Sequence, residues 1–326
     1  MVPTLAADEA FASCLRSLEA QTIERFEVIA IDNSGTGRAK YSSARVQVIV
    51  NDRNVGFGAA VNQAIRASET PYIATLNDDA VADRQWLEKL VKAAEARPEV
   101  GMCASEVRLA GTGTLDSAGL VIAMDGSSKQ RGHGEPPENF AASRDALCPS
   151  GSAALYRRKM LDEIGLFDED FFLYCEDTDL GLRARWAGWE CAYVPGAVVE
   201  HAYSHSAGRA TPLKAYYVER NRLYVAVKNF PWPMLALVKA ASLVRYFWHA
   251  VSLMEGRGKA SEYRESGHSM GMLVFLIVRA HVVAVFHLPR LWRARRRIMG
   301  TRKKTRAEFR KILAEHSISL RRMAEL

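Results

Sequence analysis

Between Phe172 and His201 the sequence gathers residues suited to acid–base and cation chemistry: Glu176, Asp177 and Asp179 within four positions, then Arg183, Gly188 and His201. Carboxylates this close repel one another when ionised, which raises at least one proton affinity unless cations or helix N–H groups compensate. Asp179 and Arg183 are spaced i,i+4 and can pair along a helix that Gly188 ends. Asp177, with Glu176 beside it, is then the candidate general base, able to take a proton from an attacking hydroxyl. A second acidic group, Asn77-Asp78-Asp79, follows the apolar run Tyr72–Leu76. Hard oxygen ligands at a strand tip suit Mg2+ or Mn2+, which take few protein carboxylates and complete their shell with phosphate oxygens and water. The same tripeptide also makes a good turn and helix cap. His201 follows the strand-like segments 191–194 and 198–199 and offers either a nitrogen ligand to the ion held by Asp79 or a structural histidine, with His205 one short loop further. His133, His249, His281 and His287 are read as non-catalytic.

Two further strand tips bear on ligand binding. Asp32 closes the apolar run before Asn33-Ser34-Gly35 and can accept a hydrogen bond from the imide N–H of uracil or thymine; an ordinary Asx turn is the alternative. Asn54-Val55-Gly56-Phe57-Gly58 opens a helix that runs past Asn62, and its glycines let backbone approach a ligand. The third glycine of a dinucleotide fingerprint is missing, which argues against a Rossmann dehydrogenase.

These positions need elements to hold them. Residues 1–110 alternate β-rich runs (Glu27–Ile31, Val46–Val50, Tyr72–Leu76, Gly101–Ser105) with helical stretches (Phe11–Glu19, Ala59–Ala67, Trp86–Ala96). That alternation predicts an α/β fold with a doubly wound, mostly parallel sheet flanked by helices. Ligands in such folds sit beyond the carboxyl ends of the strands, where Asp32, Asn54 and Asn77-Asp78-Asp79 fall. The Gly-, Ser- and Pro-rich stretch 125–147 reads as a mobile loop, either a lid or acceptor loop or a plain surface excursion. A catalytic domain is expected over 1–210, its acceptor part over roughly 106–210, and a helical region over 211–326.

In that C-terminal region, Met234–Met254 carries Lys239, Ser242, Arg245, His249 and Ser252 as one narrow polar face on an apolar helix. Met270–Leu288 is nearly all apolar, but Arg279 and His281 lie near its middle. A central arginine costs about 2.5–3.5 kcal/mol on insertion scales, which argues against a full span. From Pro289 to Leu326 there are 13 Lys/Arg against 3 Asp/Glu, which leaves 31 against 34 elsewhere, so the net charge of +7 belongs to the tail. An in-plane helix followed by a basic tail on anionic lipid is the better physical model, with two core helices packed together as the alternative. Five scattered cysteines without CxxC spacing indicate neither a disulfide framework nor zinc and fit a reducing cytoplasm. No basic segment followed by a long apolar run marks a secretion signal at the start.

Taken in order, these pieces resemble the family 2 glycosyltransferases of GT-A fold, and among them the rhamnosyltransferase-like bacterial members. The matching stretches are Pro3-Thr4-Leu5, Cys14-Leu15-Arg16-Ser17-Leu18, Ile31-Asp32-Asn33-Ser34, Asn54 to Gly58, Leu76 to Ala80, Gly165 to Phe172, Glu176-Asp177, His201 and Arg220-Asn221-Arg222. They cover about residues 2–225. The resemblance implies an inverting transfer from a UDP- or dTDP-sugar to a lipid-linked or envelope polysaccharide acceptor, rhamnose being the favoured sugar. It implies Pro3, Thr4, Asp32, Asn54, Gly56, Phe57, Asn62, Asn77 and Asp78 at the nucleotide, Asp79 and His201 at a Mn2+ or Mg2+ ion, and Asp177 as base. Two departures stand out: Asn77 replaces the aspartate that often opens the metal motif, and only Met1 and Val2 precede Pro3 in the first strand. The expected place of work is the cytoplasmic face of the cell membrane, with no nucleic acid partner. The rivals are a metal-dependent nucleotidyltransferase, for which Thr4–Asp8 lacks a Gly-rich basic triphosphate loop, and a non-catalytic binding protein on a transferase fold.

Overall fold

The computed structural model describes residues 1–6, 8–39, 43, 45–202 and 211–325, and His205 lies outside them. The chain forms two compact units, one of residues 1–120 and 130–206, the other of 121–129 and 207–326.

The first unit is α/β. In order it contains β1 (Val2–Thr4), α1 (Glu9–Glu19), β2 (Val28–Asp32), β3 (Val46–Val50), α2 (Phe57–Arg66), β4 (Tyr72–Leu76), β5 (Ala80–Ala82), α3 (Trp86–Ala96), β6 (Val100–Leu109), β7 (Leu115–Ser117), and then, after the hairpin β8 (Leu120–Ile122) and β9 (Ser128–Gln130) that falls mostly in the second unit, β10 (Ala153–Arg157), α4 (Arg158–Ile164), α5 (Glu176–Trp186) and β11 (Glu190–His201). Strands β1, β2 and β3 pair in parallel, with Pro3 opposite Ile31 and Thr4 opposite Asp32. Every residue of β2 is buried, as expected of a parallel strand covered on both faces. The backbone of Met1 links this sheet to β4, donating to the Ala74 carbonyl at 2.7 Å and accepting from Leu76 N–H at 3.1 Å.

Beyond β4 the order is β4-β10-β6-β11-β5. Here only β6 and β11 run parallel; β10 pairs antiparallel with both β4 and β6, and β5 and β7 are antiparallel too. The expected mostly parallel sheet therefore holds for the N-terminal half, and the C-terminal half is mixed. The cause is β10, which no helix-alternation pattern announced and which inserts between β4 and β6. Leu15, Val28, Leu76, Trp86, Val107 and Leu155 form the core under this sheet. The Trp86 indole satisfies its N–H on Ser105 Oγ at 2.8 Å.

Residues 125–147 are packed rather than loose. Asp125 is fully buried, β9 lies within the stretch, and Arg131 N–H donates to the Gly119 carbonyl at 2.8 Å. The segment therefore gives no support to a detached lid.

The second unit is helical: α6 (Pro212–Asn229), α7 (Trp232–Met254), α8 (Gly258–Glu265), α9 (Met270–Phe286), α10 (Leu288–Thr301), α11 (Arg306–Glu315) and α12 (Leu320–Glu325). Its interior is ionic. Arg222 donates to the Asp125 carbonyl at 2.9 Å, to Ser242 Oγ at 3.0 Å and to the Tyr246 hydroxyl at 2.8 Å, and it pairs with Glu219. Arg245 reaches Asp125 at 2.5 Å and Glu219 at 2.6 Å. Buried charges persist when paired and hydrogen-bonded in this way.

Candidate active site

The approach to α5 is strained. Phe172, Tyr174 and Cys175 have φ of 63°, 69° and 66°, and among the described residues no other non-glycine residue has positive φ. Such conformations cost about 1–3 kcal/mol each and persist where surrounding structure imposes them. Here they turn the chain so that Glu176 and Asp177 occupy the first turn of α5, at the positive end of its dipole. Asp179 pairs with Arg183 at 2.9 Å, as the spacing predicted, and Arg183 also donates to the carbonyls of Ile164, Gly165 and Leu166. The helix lies close against the chain at Gly181, where a Cβ would sit 2.1 Å from Cys148 Cβ.

Asp177 accepts from Gly151 N–H at 3.0 Å and from Thr178 N–H at 2.6 Å. Burial raises its proton affinity and these hydrogen bonds restrain the rise. Glu176 has fewer partners, and its Oε2 is buried with none among the described residues. Burial, and then the Asp177 charge, push its pKa up to about 8. The two carboxyls thus titrate as a pair, each with its proton affinity raised by burial.

A second constellation stands at the ends of β4 and β11. His201 Nε2 lies 3.1 Å from Asp79 Oδ1 and 3.3 Å from Asn77 Nδ2. Its Nδ1 lies 2.7 Å from Asp116 Oδ2, and Asp116 Oδ1 meets His133 Nδ1 at 3.1 Å. Burial opposes charging His201, but hydrogen bonds and charge from Asp116 and Asp79 outweigh it and push its pKa up to about 9. Burial likewise opposes ionising Asp116, yet the hydrogen bonds from His133 and His201 hold its carboxyl below the usual range. Asp78 sits beside this group, where burial, with the charges of Asp79 and Asp8, raises its pKa to about 6 against hydrogen bonds from Thr4 and Leu5.

This pair fits a divalent cation. Two adjacent ligands on an octahedral ion with bonds of about 2.1 Å stand about 3 Å apart, and Asp79 Oδ1 and His201 Nε2 are 3.1 Å apart. With Nδ1–H held by Asp116, the lone pair of neutral His201 is on Nε2, toward Asp79. No cluster of three or more His, Cys, Asp or Glu side chains forms among the described residues. Two protein ligands, with phosphate and water for the rest, is the pattern such ions adopt on nucleotides. Asn77, in place of a carboxylate, lends an amide beside the imidazole.

The nucleotide-side residues are ordered by one another. Asp32 accepts from Ser34 N–H at 2.9 Å, Ser34 Oγ at 2.5 Å and Ala39 N–H at 2.9 Å, so the local turn uses much of its acceptor capacity. Burial opposes its ionisation, but those bonds hold its carboxyl low. Asn54 accepts from Asn33 and from Gly56 N–H, both at 2.9 Å. Gly56 needs its φ of 90° and its bare Cα, because a Cβ would lie 2.4 Å from the Phe172 carbonyl. Phe57 N–H donates to that carbonyl at 2.8 Å. Asn62 instead points away from these groups, clamping Phe167 and Glu169 through three hydrogen bonds, and is thus a brace for the 167–169 turn.

The predicted segments are joined by short links. Phe57 lies under Gly151, Gly151 N–H holds Asp177, and Asn77 N–H donates to the Ser152 carbonyl at 2.8 Å. Residues 151–152 thereby connect Asp177 to the strand tip of Asp79 and His201. Sequence reading missed Asp116 and set His133 aside. The available signal was an acidic residue inside the short apolar run Leu115-Asp116-Ser117-Ala118, where burial demands a partner.

A mixed sheet flanked by helices, with acids at strand tips and at a helix start, is the arrangement of the GT-A fold. The sequence signature described as "Glycosyl transferase family 2" matches residues 1–165. The chain belongs to that family. It is 29% identical over 247 residues to the N-acetylglucosaminyl-diphospho-decaprenol L-rhamnosyltransferase of Mycobacterium tuberculosis, covering 67% of this chain and 80% of the relative. It is 26% identical over 235 residues to the rhamnosyltransferase WbbL of Escherichia coli, covering 64% and 87%. Among solved structures it is similar in fold to the mannosyltransferase PcManGT of Pyrobaculum calidifontis with GDP-Man and Mn2+ (TM-score 0.52, 15% identity, 92% of this chain and 84% of the other). It is also similar to residues 1–349 of S. aureus TarS in complex with UDP-GlcNAc (TM-score 0.54, 15% identity, 99% and 89%).

Proposed function

We propose that this enzyme moves a sugar, rhamnose first, from a UDP- or dTDP-sugar to a hydroxyl of a lipid-linked or cell-envelope polysaccharide acceptor, inverting the anomeric carbon. The observation that carries the reading is the buried Glu176–Asp177 pair at the start of α5, tied through residues 151–152 to Asp79 and His201. The rhamnosyltransferase relatives support the choice of sugar, and the decaprenol in the name of one supports the lipid-linked acceptor. Asp177 takes the proton of the acceptor hydroxyl as its oxygen bonds to the anomeric carbon; the bond from that carbon to the diphosphate oxygen breaks, and the nucleoside diphosphate leaves. Glu176 retains its proton and so leaves the negative charge on Asp177. A single displacement of this kind inverts configuration. Asp79 and His201 would hold a Mn2+ or Mg2+ ion, which supplies positive charge to the departing diphosphate. Asp116 keeps the His201 ring in register, and Asp32, with Pro3 and Thr4 at the β1–β2 tips, borders the base. The enzyme works on the cytoplasmic face of the cell membrane.

The test is a panel of sugar nucleotides with and without Mn2+, read as nucleoside diphosphate release and as sugar-bearing product. One UDP- or dTDP-sugar consumed in an acceptor-dependent, cation-dependent way supports the reading. Nucleotide binding without turnover of any donor would favour a binding protein, and release of pyrophosphate from nucleoside triphosphate would favour a nucleotidyltransferase; either result overturns it.

A further inference from the structure

Two helices of the second unit turn large apolar side chains outward. In α7 the polar residues Ser242, Arg245 and Ser252 are buried, whereas Leu237, Leu243, Val244 and Phe247 are exposed, Leu243 at 69% and Phe247 at 62%. The inward polar stripe is explained by its partners, since Ser242 and Arg245 complete the ionic interior with Asp125, Glu219 and Arg222. A helix packed against a protein core in water shows the opposite arrangement, apolar inward and polar outward. Helix α9 is apolar on both sides: it buries Leu276, Ala280 and Ala284 and exposes Met272, Phe275, Val278, Val282, Val285 and Phe286. Its outward charge, Arg279, lies over the Tyr216 ring with its guanidinium carbon 4.8 Å from the centroid. The Tyr246 and His281 rings, 6.4 Å apart, join α7 and α9 at one contact.

What covers these faces is indicated by what borders them. Helix α10 turns 63° away from α9 and exposes Arg290, Arg293, Arg296 and Arg297, while Leu291, Arg295 and Ile298 face inward. Trp232 and Trp292 pair at 5.2 Å near the starts of α7 and α10, with the Arg295 guanidinium over both rings. Apolar side chains, then tryptophans, then arginines is the order in which a lipid surface presents acyl chains, the interface and anionic headgroups. Among the described residues no single helix is long and apolar enough to cross a membrane. The 17 residues of α9 extend about 26 Å, short of a hydrocarbon core of about 30 Å.

We infer that the exposed sides of α7 and α9 lie in the plane of an anionic lipid surface, with the arginines of α10 on its headgroups. This deepens the membrane-side part of the proposed function and rests on the helical unit alone. The occupant is lipid rather than a second copy of the chain, because a basic rim around an apolar face complements anionic headgroups and would repel its own copy.

The test uses the full-length protein and sedimentation with vesicles of phosphatidylcholine and phosphatidylglycerol, compared with phosphatidylcholine alone. The wild type is expected to partition at least tenfold more strongly onto the anionic vesicles. Phe247→Asp combined with Val278→Asp, and separately Arg293→Glu combined with Arg297→Glu, should each reduce that partitioning tenfold or more. Circular dichroism and UDP or dTDP binding should be unchanged, since all four positions are exposed. Equal sedimentation of wild type and both variants would overturn the inference, as would a stable dimer in the absence of lipid that the Phe247→Asp/Val278→Asp variant dissolves. Donor turnover on a soluble acceptor is measured in parallel, so a wild type that turns over donor but shows no preference for anionic vesicles refutes this inference and leaves the transferase reading standing.

Discussion

Asp116→Asn tests the support beneath His201. The substitution keeps shape but replaces a buried carboxylate, 1% exposed, that holds His201 at 2.7 Å and His133 at 3.1 Å. An amide can accept from one ring N–H, but its NH2 must then face the other, so the carboxylate's bond to one of the two imidazoles is lost. A hydrogen bond to a charged group is worth about 1.5–3 kcal/mol. Loss of a carboxylate behind a metal-binding histidine typically weakens metal affinity about 10–100-fold, or about 1.4–2.7 kcal/mol. These two figures agree, and the expected result is a rise of about 10–100-fold in the Mn2+ dissociation constant. Titrating free Mn2+ by electron paramagnetic resonance reads this directly, without substrate. Nucleotide affinity measured without metal, and thermal unfolding, separate a local effect from misfolding. Mn2+ affinity within twofold of wild type, in a folded variant, would show that Asp116 does not orient a metal ligand.

Asp177→Asn should lower kcat about 10²–10⁴-fold, the usual contribution of a general base, with donor affinity nearly unchanged; wild-type transfer in this variant would remove Asp177 from the mechanism. Because the base must be ionised and the Glu176–Asp177 pair has raised proton affinity, kcat/KM should fall on the acid side at a pH above the ordinary carboxylate range. Glu176→Gln should leave that limb nearly in place, because burial rather than a Glu176 charge raises Asp177, and a limb moved well to lower pH would show that Glu176 is ionised beside the base. The same pair bears on stability: between the unfolded Glu176 value near 4.5 and the folded value of about 8 the native state binds the extra proton, so wild-type Tm should fall as pH rises from 5 to 8. The Glu176→Gln variant should lose less over that range, and parallel curves would contradict the assignment. Gly181→Ala places a methyl 2.1 Å from Cys148 Cβ; overpacking of this kind typically costs about 1–3 kcal/mol, visible as a lowered denaturation midpoint, and an unchanged midpoint would mean that α5 can shift freely.

The sequence pattern located the elements that carry their own local signal. Val46–Val50, Tyr72–Leu76 and Trp86–Ala96 occur with the bounds read from periodicity, because each is a short run whose apolar spacing matches one element type. The pairing of Asp179 with Arg183 was legible for the same reason, being set by helix geometry over one turn. What depended on contacts between distant segments was not legible. Strand β10 sits between β4 and β6 with both neighbours antiparallel, an outcome of packing across more than 50 residues of chain. Asp116 stands 85 residues before His201, and nothing near it announces the ring it holds. Asn62 looked like part of a Gly-rich ligand loop, yet it braces Phe167 and Glu169 more than 100 residues away. His133 fell within a stretch whose Gly and Pro content reads as loop, while its hydrogen bond to Asp116 shows it packed in the fold. In the second unit the narrow polar stripe of α7 was visible, but not that Ser242, Arg245 and Ser252 within it face inward while Lys239 is exposed; that required the buried partners Asp125 and Glu219.

The account turns on one cation-supported diphosphate site built by Asp79 and His201 within reach of Asp177. A crystal of the protein grown with Mn2+ and UDP or dTDP, measured at the manganese absorption edge, tests it most directly. An anomalous peak bonded to Asp79 and His201, with the diphosphate on its far side and the base near Asp32, is the predicted result. Nucleotide bound away from those residues, or manganese held by other side chains, would contradict it.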